Sequence, residues 1–338
     1  MTANGRSVPR PACGDAQVLR PAQRGADGRF LNPDGTPAGQ PLRQVWKMMR
    51  EGGGTPWPER VTDPPQPPPP DVVPPSHAAV TFIGHSSFRV SLDDGTVILT
   101  DPIFSERCSP LSFFGPRRVR PPALALDALT RVDAVLVSHS HYDHLDLPSL
   151  RALHARFAPR VITGLGNAAW LARNGVPGAV ELDWGGQAQL PGGHVATYLP
   201  MQHFAARGIR DRARTLWGGF AVEAASGGRF LFAGDTAPGA HFDAIGAAFG
   251  GFDVGLIPIG AYEPEWFMQA VHVTPEQALA AQRAMRVRTA IAMHFATFKL
   301  TREGIDEPAR RLRAARADQD FRVPAFGETL VLPLRESS

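Results

Sequence analysis

Four short apolar runs in this chain lead into residues that can bind a metal ion, and that pattern restricts the fold more than any other feature. Ala134–Val137 runs into Ser138-His139, residues 230–232 into Gly234-Asp235, and residues 290–293 into His294; Val195–Leu199 is followed shortly by Gln202-His203. Further β-rich runs lie at 79–83, 96–99 and 254–259, bounded by Gly, Pro or Asp. Helical signals fall between some of them. Thr274-Pro275-Glu276-Gln277 reads as a capping box ahead of residues 278–285. Asp146 and Pro148 open a second helix through Leu150, Leu153 and Phe157, and residues 307–317 suit a third. Strands interspersed with helices indicate an α/β domain with buried sheets. In such folds rigid strands deliver converging loops to one sheet edge, where a site can form.

The first quarter of the chain reads differently. Residues 1–40 are rich in Gly, Pro and polar residues, and residues 64–75 are nearly all proline, which favours an extended, polyproline-like linker. Between them, residues 42–50 predict a short amphipathic helix stopped by Gly52-Gly53-Gly54. Its Trp46, Met48, Met49 and basic residues suit a membrane surface or an acyl chain, and equally suit packing on the domain. The boundary expected from this change is an N-terminal extension over 1–77 and a hydrolase domain over 78–338.

Composition then excludes several classes. With 338 residues, 43% of them hydrophobic, the chain can build one large core or two small ones. The net charge of +3 permits contact with an anionic surface but gives no reason to expect nucleic acid as a partner. Two cysteines, Cys13 and Cys108, lie too far apart in sequence to suggest a disulfide scaffold. No signal-peptide-like segment is seen, and no run approaches the roughly 20 apolar residues that span a bilayer. The expectation is a cytoplasmic protein, compatible with peripheral contact at a membrane surface. Oligomeric state is open, a homodimer included.

The segment Ser138-His139-Ser140-His141-Tyr142-Asp143-His144 places three His and an Asp within six residues. A lone histidine has many roles, but this cluster, joined by His203, Asp235 and His294, is hard to read as core packing. In an extended loop His139 and His141 project to one side and suit one metal, while Asp143 and His144 follow at a turn and suit a second. Asp235, with two oxygens, can bridge them. Imidazole and carboxylate ligands fit zinc, and the absence of Cys ligands argues against a closed structural site. Two ions roughly 3.5–4 Å apart would hold and activate a hydroxide. Iron and manganese accept the same ligands to some degree.

The motif His139-x-His141-x-Asp143-His144, with later His203, Asp235 and His294, resembles the metallo-β-lactamase superfamily. The resemblance implies a four-layer αββα sandwich with metals at one edge of two sheets. It also implies that His139, His141 and His203 hold one ion, that Asp143, His144 and His294 hold the other, and that Asp235 bridges. Within the superfamily the chain is similar to the N-acylphosphatidylethanolamine-hydrolysing phospholipase D family and its bacterial relatives. The stretches carrying that similarity are Leu99-Thr100-Asp101-Pro102-Ile103-Phe104-Ser105, Gly115-Pro116-Arg117-Arg118-Val119-Arg120, Phe232-Ala233-Gly234-Asp235-Thr236 and, above all, Leu256-Ile257-Pro258-Ile259-Gly260-Ala261-Tyr262-Glu263-Pro264.

Membership implies phospholipase D-type hydrolysis of an N-acylphosphatidylethanolamine-like phospholipid by a hydroxide held between two Zn2+ ions. Asp143 would orient that hydroxide, and His272 would protonate the leaving alkoxide or hold the phosphate. Val271 stands where the animal enzymes carry a polar residue, which bears on substrate recognition. His85 is expected to support a metal ligand. Arg117, Arg118 and Arg120 suit either anionic head groups or a solvated loop. Tyr262, Trp266, Phe267 and Met268 suit either an acyl-chain cleft or the core. His77, His154 and His194 read as structural or exposed, and His241 is unassigned. Competing readings are a same-fold hydrolase of a soluble phosphate ester or lactone, and a non-catalytic metal-binding scaffold. Such scaffolds typically lose ligands, whereas this chain keeps all seven.

Overall fold

The computed structural model describes residues 19–334 apart from Asp71 and Ile209, so Cys13 and the ends of the chain lie outside the described residues. The strands in chain order are β1 (His77–Gly84), β2 (Ser87–Leu92), β3 (Val97–Thr100), β4 (Ala134–Val137), β5 (Arg160–Gly164) and β6 (Val180–Leu182). They are followed by β7 (Gln187–Gln189), β8 (Val195–Leu199), β9 (Gly219–Glu223), β10 (Arg229–Phe232), β11 (Phe252–Pro258), β12 (Val287–Met293), β13 (Phe321–Arg322) and β14 (Thr329–Pro333). The α-helices are α1 (Leu42–Glu51), α2 (Leu147–Phe157), α3 (Ala168–Arg173), α4 (His241–Phe249), α5 (Glu265–Met268), α6 (Pro275–Ala284) and α7 (Glu307–Ala315).

Two seven-stranded sheets form, in the orders β14-β1-β2-β3-β4-β5-β6 and β13-β12-β11-β10-β9-β8-β7. Each changes from antiparallel to parallel pairing partway across. In the first sheet β1, β2 and β3 pair antiparallel, and β3 to β6 pair parallel. In the second, β7 to β10 pair antiparallel, and β10 to β13 pair parallel. A main core cluster unites Phe82, Phe88 and Leu136 of the first sheet with Tyr198, Phe220, Phe232 and Ile291 of the second. A second cluster packs Leu99, Val135 and Val137 against Leu150 and Leu153 of α2. Sheet faces at the centre and helices outside give the four-layer αββα metallo-β-lactamase sandwich.

Local sequence explains the helix starts. Thr274 accepts from the Gln277 backbone and Gln277 returns the bond to the Thr274 backbone, so the capping box of α6 is complete. α2 carries Pro in its first turn and stops at Ala158 in a left-handed conformation.

The residues preceding β1 are laid against the domain. Phe30 is buried in the main core, and the Trp57 indole donates to the Glu303 carbonyl. Arg120 pairs with Asp63, beside the proline-rich stretch. α1 is tied down where Arg302 donates to the Met48 carbonyl and where the Lys47 ammonium sits 4.4 Å from the Trp266 ring centre. Among the described residues no helix is long and apolar enough to cross a membrane.

Candidate metal centre

Four strand ends deliver the site. β4 leads into His139, β8 precedes His203, β10 turns into Asp235, and β12 ends one residue before His294. Gly234 makes the third approach feasible. Its φ is +61°, and a Cβ there would stand 2.7 Å from the Gly218 carbonyl oxygen and 2.9 Å from Ser138 Cβ. His85, Asp101 and His294 also have positive φ, at 56°, 32° and 59°, a clustering of left-handed backbone that surrounding structure must hold in place.

The seven residues expected to bind metal come together. His139 Nε2 lies 2.8 Å from His141 Nδ1, and His203 Nε2 lies 3.3 Å from that same atom. On the other side, Asp143 Oδ2 lies 3.3 Å from His144 Nε2 and 3.4 Å from His294 Nε2. Asp235 Oδ2 stands between, 3.1 Å from both His144 Nε2 and His294 Nε2, 3.7 Å from His203 Nε2 and 3.9 Å from His139 Nε2. His85 joins the second group, with Nε2 3.0 Å from Asp143 Oδ2. Potential ligand atoms of His139, His141 and His203, and those of His85, Asp143, His144 and His294, lie within 4.8 Å of one another in each group.

These residues fit a pair of cations. Two of the far ring nitrogens are already committed, while Nδ1 of His294 is unpartnered: His203 Nδ1 lies 2.8 Å from the Val271 carbonyl, and His144 Nδ1 lies 2.6 Å from Asp101 Oδ2. Each such bond fixes the tautomer and turns Nε2 inward. The inward atoms His144 Nε2, His294 Nε2 and Asp235 Oδ1 are buried without a hydrogen-bond partner, an arrangement whose desolvation cost a bound cation would offset.

Electrostatics point the same way. Burial works to raise the Asp143 and Asp235 carboxyls, but the neighbouring imidazoles, led by His144, hold both well below the usual carboxylate range. Burial opposes protonation of His294 and His144, yet Asp235 and Asp143 overcome it, holding His294 at about 9 and raising His144 as well. Without metal both rings carry protons that a bound cation would displace. His141 is pushed down to about 3 and His203 to about 4, chiefly by burial. The centre thus keeps two carboxylates ionised in a desolvated place, which favours cations.

His272 is buried beside these groups, its ring 5.1 Å from that of His203 and 5.2 Å from that of His294, with Nδ1 unpartnered. A cleft of about 330 Å³ opens onto His141, Asp143, His203, Asp235, His272 and His294. Phe267 and Met268 line it, whereas Tyr262 belongs to the core, fully buried with its hydroxyl donating to Glu307. Arg118 and Arg120 are likewise committed inward. Arg118 donates to the Ser105 and Ile103 carbonyls, and Arg120 pairs with Asp63 and donates to the Ala296 carbonyl. Of the three basic residues only Arg117 is exposed, beside Glu106.

Three supporting residues carry no signal in the pattern of His and Asp. Asp101 accepts from the Ser138 amide and hydroxyl as well as facing His144. The Tyr198 hydroxyl donates to the Ser138 carbonyl. Arg207 donates to the Ser140 and Leu145 carbonyls and stacks on Tyr142 and Trp170, bracketing the ligand loop. Asp101 sits in one of the stretches that carry the family similarity, which was its only trace.

Comparison with known proteins agrees with this geometry. Residues 96–295 match the family described as "Beta-lactamase superfamily domain". The chain is 33% identical to "N-acyl-phosphatidylethanolamine-hydrolyzing phospholipase D 1" of Caenorhabditis elegans over 90% of each protein. An uncharacterized protein of Mycobacterium tuberculosis is 40% identical over 71% of this chain, which spans 64% of that protein's length. Among solved structures, a metallo hydrolase of the archaeon Ignicoccus hospitalis superposes with a TM-score of 0.57 at 24% identity, covering 77% of this chain and 100% of that one. An isothiocyanate hydrolase from Delia radicum gut bacteria superposes with a TM-score of 0.61 at 18% identity, covering 76% of this chain and 100% of that one. Both share the sandwich. The chain belongs to the metallo-β-lactamase superfamily of metal-dependent hydrolases, in the branch that holds the N-acylphosphatidylethanolamine-hydrolysing phospholipase D relatives.

Proposed function

We propose that this protein is a binuclear zinc-dependent phosphodiesterase that cleaves N-acylphosphatidylethanolamine-like phospholipids on the head-group side of phosphorus. The observation that carries the reading is the 33% identity over nine-tenths of both chains with a relative named for that activity. The cluster around Asp235 supports it, since three imidazoles stand on one side of that carboxylate and Asp143, His144 and His294 on the other. When bound, two ions would supply Lewis acidity toward a phosphoryl oxygen and acidify a water into a nucleophile.

The chain's own residues then do the following. His139, His141 and His203 would hold one ion and Asp143, His144 and His294 the other, with the Asp235 carboxylate available to both. Asp143 faces the cleft and orients the attacking water through its carboxylate. His272, which burial keeps neutral, would donate its ring N–H as a hydrogen bond to the phosphate or the departing alkoxide rather than act as a charged general acid. Phe267, Met268 and Val45 of α1 supply an apolar wall for acyl chains. Contact with a membrane surface is supported by α1, where Trp46 and Met49 are about two-thirds exposed, at 66% and 64%, beside the exposed Arg43, Lys47 and Arg50.

The test is metal analysis combined with a substrate panel. Protein expressed with zinc should carry close to two ions per chain and cleave N-acylated phosphatidylethanolamine faster than soluble phosphodiesters. Asp235→Ala should abolish that activity, and His272→Gln should separate a hydrogen-bonding role from proton donation. Turnover of only water-soluble esters or lactones would sink the phospholipase reading and leave a same-fold hydrolase.

A further inference from the structure

Arg212 lines the metal cleft together with His141, His203, Asp235 and His272 but is not one of the metal-binding side chains. Its guanidinium is held in place by uncharged contacts. Nη1 donates to the Gln40 carbonyl at 2.8 Å, and Cζ lies 5.1 Å from the Phe204 ring centre. No carboxylate pairs with it among the described residues, and Nε is buried without any partner. A second cation, Arg29, donates to the Arg212 carbonyl and helps burial pull the guanidinium below its ordinary pKa.

The backbone makes room for this arrangement. Gly39 has φ +71°, and a Cβ at that position would lie 1.9 Å from Arg212 Nη2, so only glycine lets the guanidinium rest there. A cation half-withdrawn from water, with Nε unpartnered and no carboxylate paired to it among the described residues, is costly unless an anion arrives. Its fork geometry matches two oxygens of a phosphate.

We propose that Arg212 is a substrate-binding residue that receives the non-bridging oxygens of an anionic phosphate in the metal cleft, with Gly39 and Gln40 holding the guanidinium in position. The identity of the phosphate as part of a phosphodiester rests on the function proposed above; the anion site itself does not. Arg212 fixes where phosphorus sits relative to the metal ligands, and it selects an anionic phosphate over a neutral ester or lactone.

Calorimetric titration of inorganic phosphate into the metal-loaded full-length protein tests this, with metal content measured on every variant. Arg212→Gln should weaken phosphate binding about tenfold, the scale of a lost charged hydrogen bond, at unchanged metal content. Arg212→Lys should recover part of that affinity. Gly39→Ala keeps the charge but displaces the guanidinium, and should weaken binding in the same direction. On a soluble phosphodiester, Arg212→Gln should raise KM with little change in kcat. Equal phosphate affinity in wild type and Arg212→Gln overturns the proposal, as does a loss that only follows lost metal. A wild type that binds phosphate through Arg212 yet leaves N-acylated phosphatidylethanolamine intact supports the anion site and sinks the lipid assignment.

Discussion

Asp101 Oδ2 lies 2.6 Å from Nδ1 of His144, and both side chains are fully withdrawn from solvent. Asp101 also accepts from the Ser138 amide and hydroxyl, so a single carboxylate fixes the start of the ligand loop and the tautomer of one ligand. Asp101→Asn keeps the shape but turns an acceptor pair into a mixed donor and acceptor. It should reduce metal affinity or activity by about 10–100-fold, as loss of such supporting groups does. Metal analysis after dialysis against a weak chelator, beside wild type, reads the effect.

Arg207 brackets the same loop from the other side. It donates to the Ser140 and Leu145 carbonyls at 2.9 Å and 2.8 Å, and its guanidinium carbon lies 4.0 Å from the Tyr142 ring centre. Arg207→Ala leaves both carbonyls short of a donor, and should cost about 1–3 kcal/mol per charged hydrogen bond lost. Urea denaturation of the metal-loaded protein should show a lower midpoint at unchanged slope. Arg207→Lys, which keeps a charged donor but loses the guanidinium plane stacked on Tyr142 and Trp170, should fall between.

Trp46 and Met49 face solvent on α1, while Val45 of the same helix lines the cleft. Replacing both Trp46 and Met49 by Ala should weaken sedimentation with vesicles containing anionic lipid. Hydrolysis of a soluble phosphodiester should stay within about twofold, because neither side chain lines the cleft. An equal loss on soluble and vesicle substrates would place these residues in folding instead.

Asp320 offers a pH test away from the metal centre. Hydrogen bonds from Arg322 hold its carboxyl below the ordinary value of 3.8, burial opposes this modestly, and Thr289 adds a further donor. A native pKa below the unfolded one means the carboxylate contributes stability above about pH 3.8, and loses it as pH falls through the native value. Asp320→Asn should therefore be less stable than wild type at pH 7, with the gap closing below pH 3.8. Urea midpoints measured across that range decide it.

The parts of the fold legible in the sequence were those whose signal is local. β4 is legible at its observed bounds because it is an uninterrupted apolar run closed by Ser138, and β8 because a largely apolar and β-branched run is closed by Pro200. α6 was read because its capping box is written in four consecutive residues. β2 escaped because Arg89 and Ser91 break its apolar pattern, although both are buried, with Arg89 donating to Ser91. β14 escaped because its pairing partner, β1, lies about 250 residues earlier, as in Thr81 opposite Thr329. The short helices α3 and α5 carry too few turns to show a period.

The same division runs through the site. Residue types and spacing alone marked His139, His141, Asp143, His144, His203, Asp235 and His294 as a metal-binding set, because imidazole and carboxylate at successive strand ends have little other use. What sequence left open was decided by packing. Arg118 and Arg120 turned inward to carbonyls and Asp63, while Arg212, with no motif around it, was left facing the cleft without a counter-charge. Asp101 came to His144 from 43 residues away. A ligand's chemistry is a property of its own side chain and can be read in one dimension; the partners that orient it are chosen by which strands lie side by side, and only the folded chain contains that information.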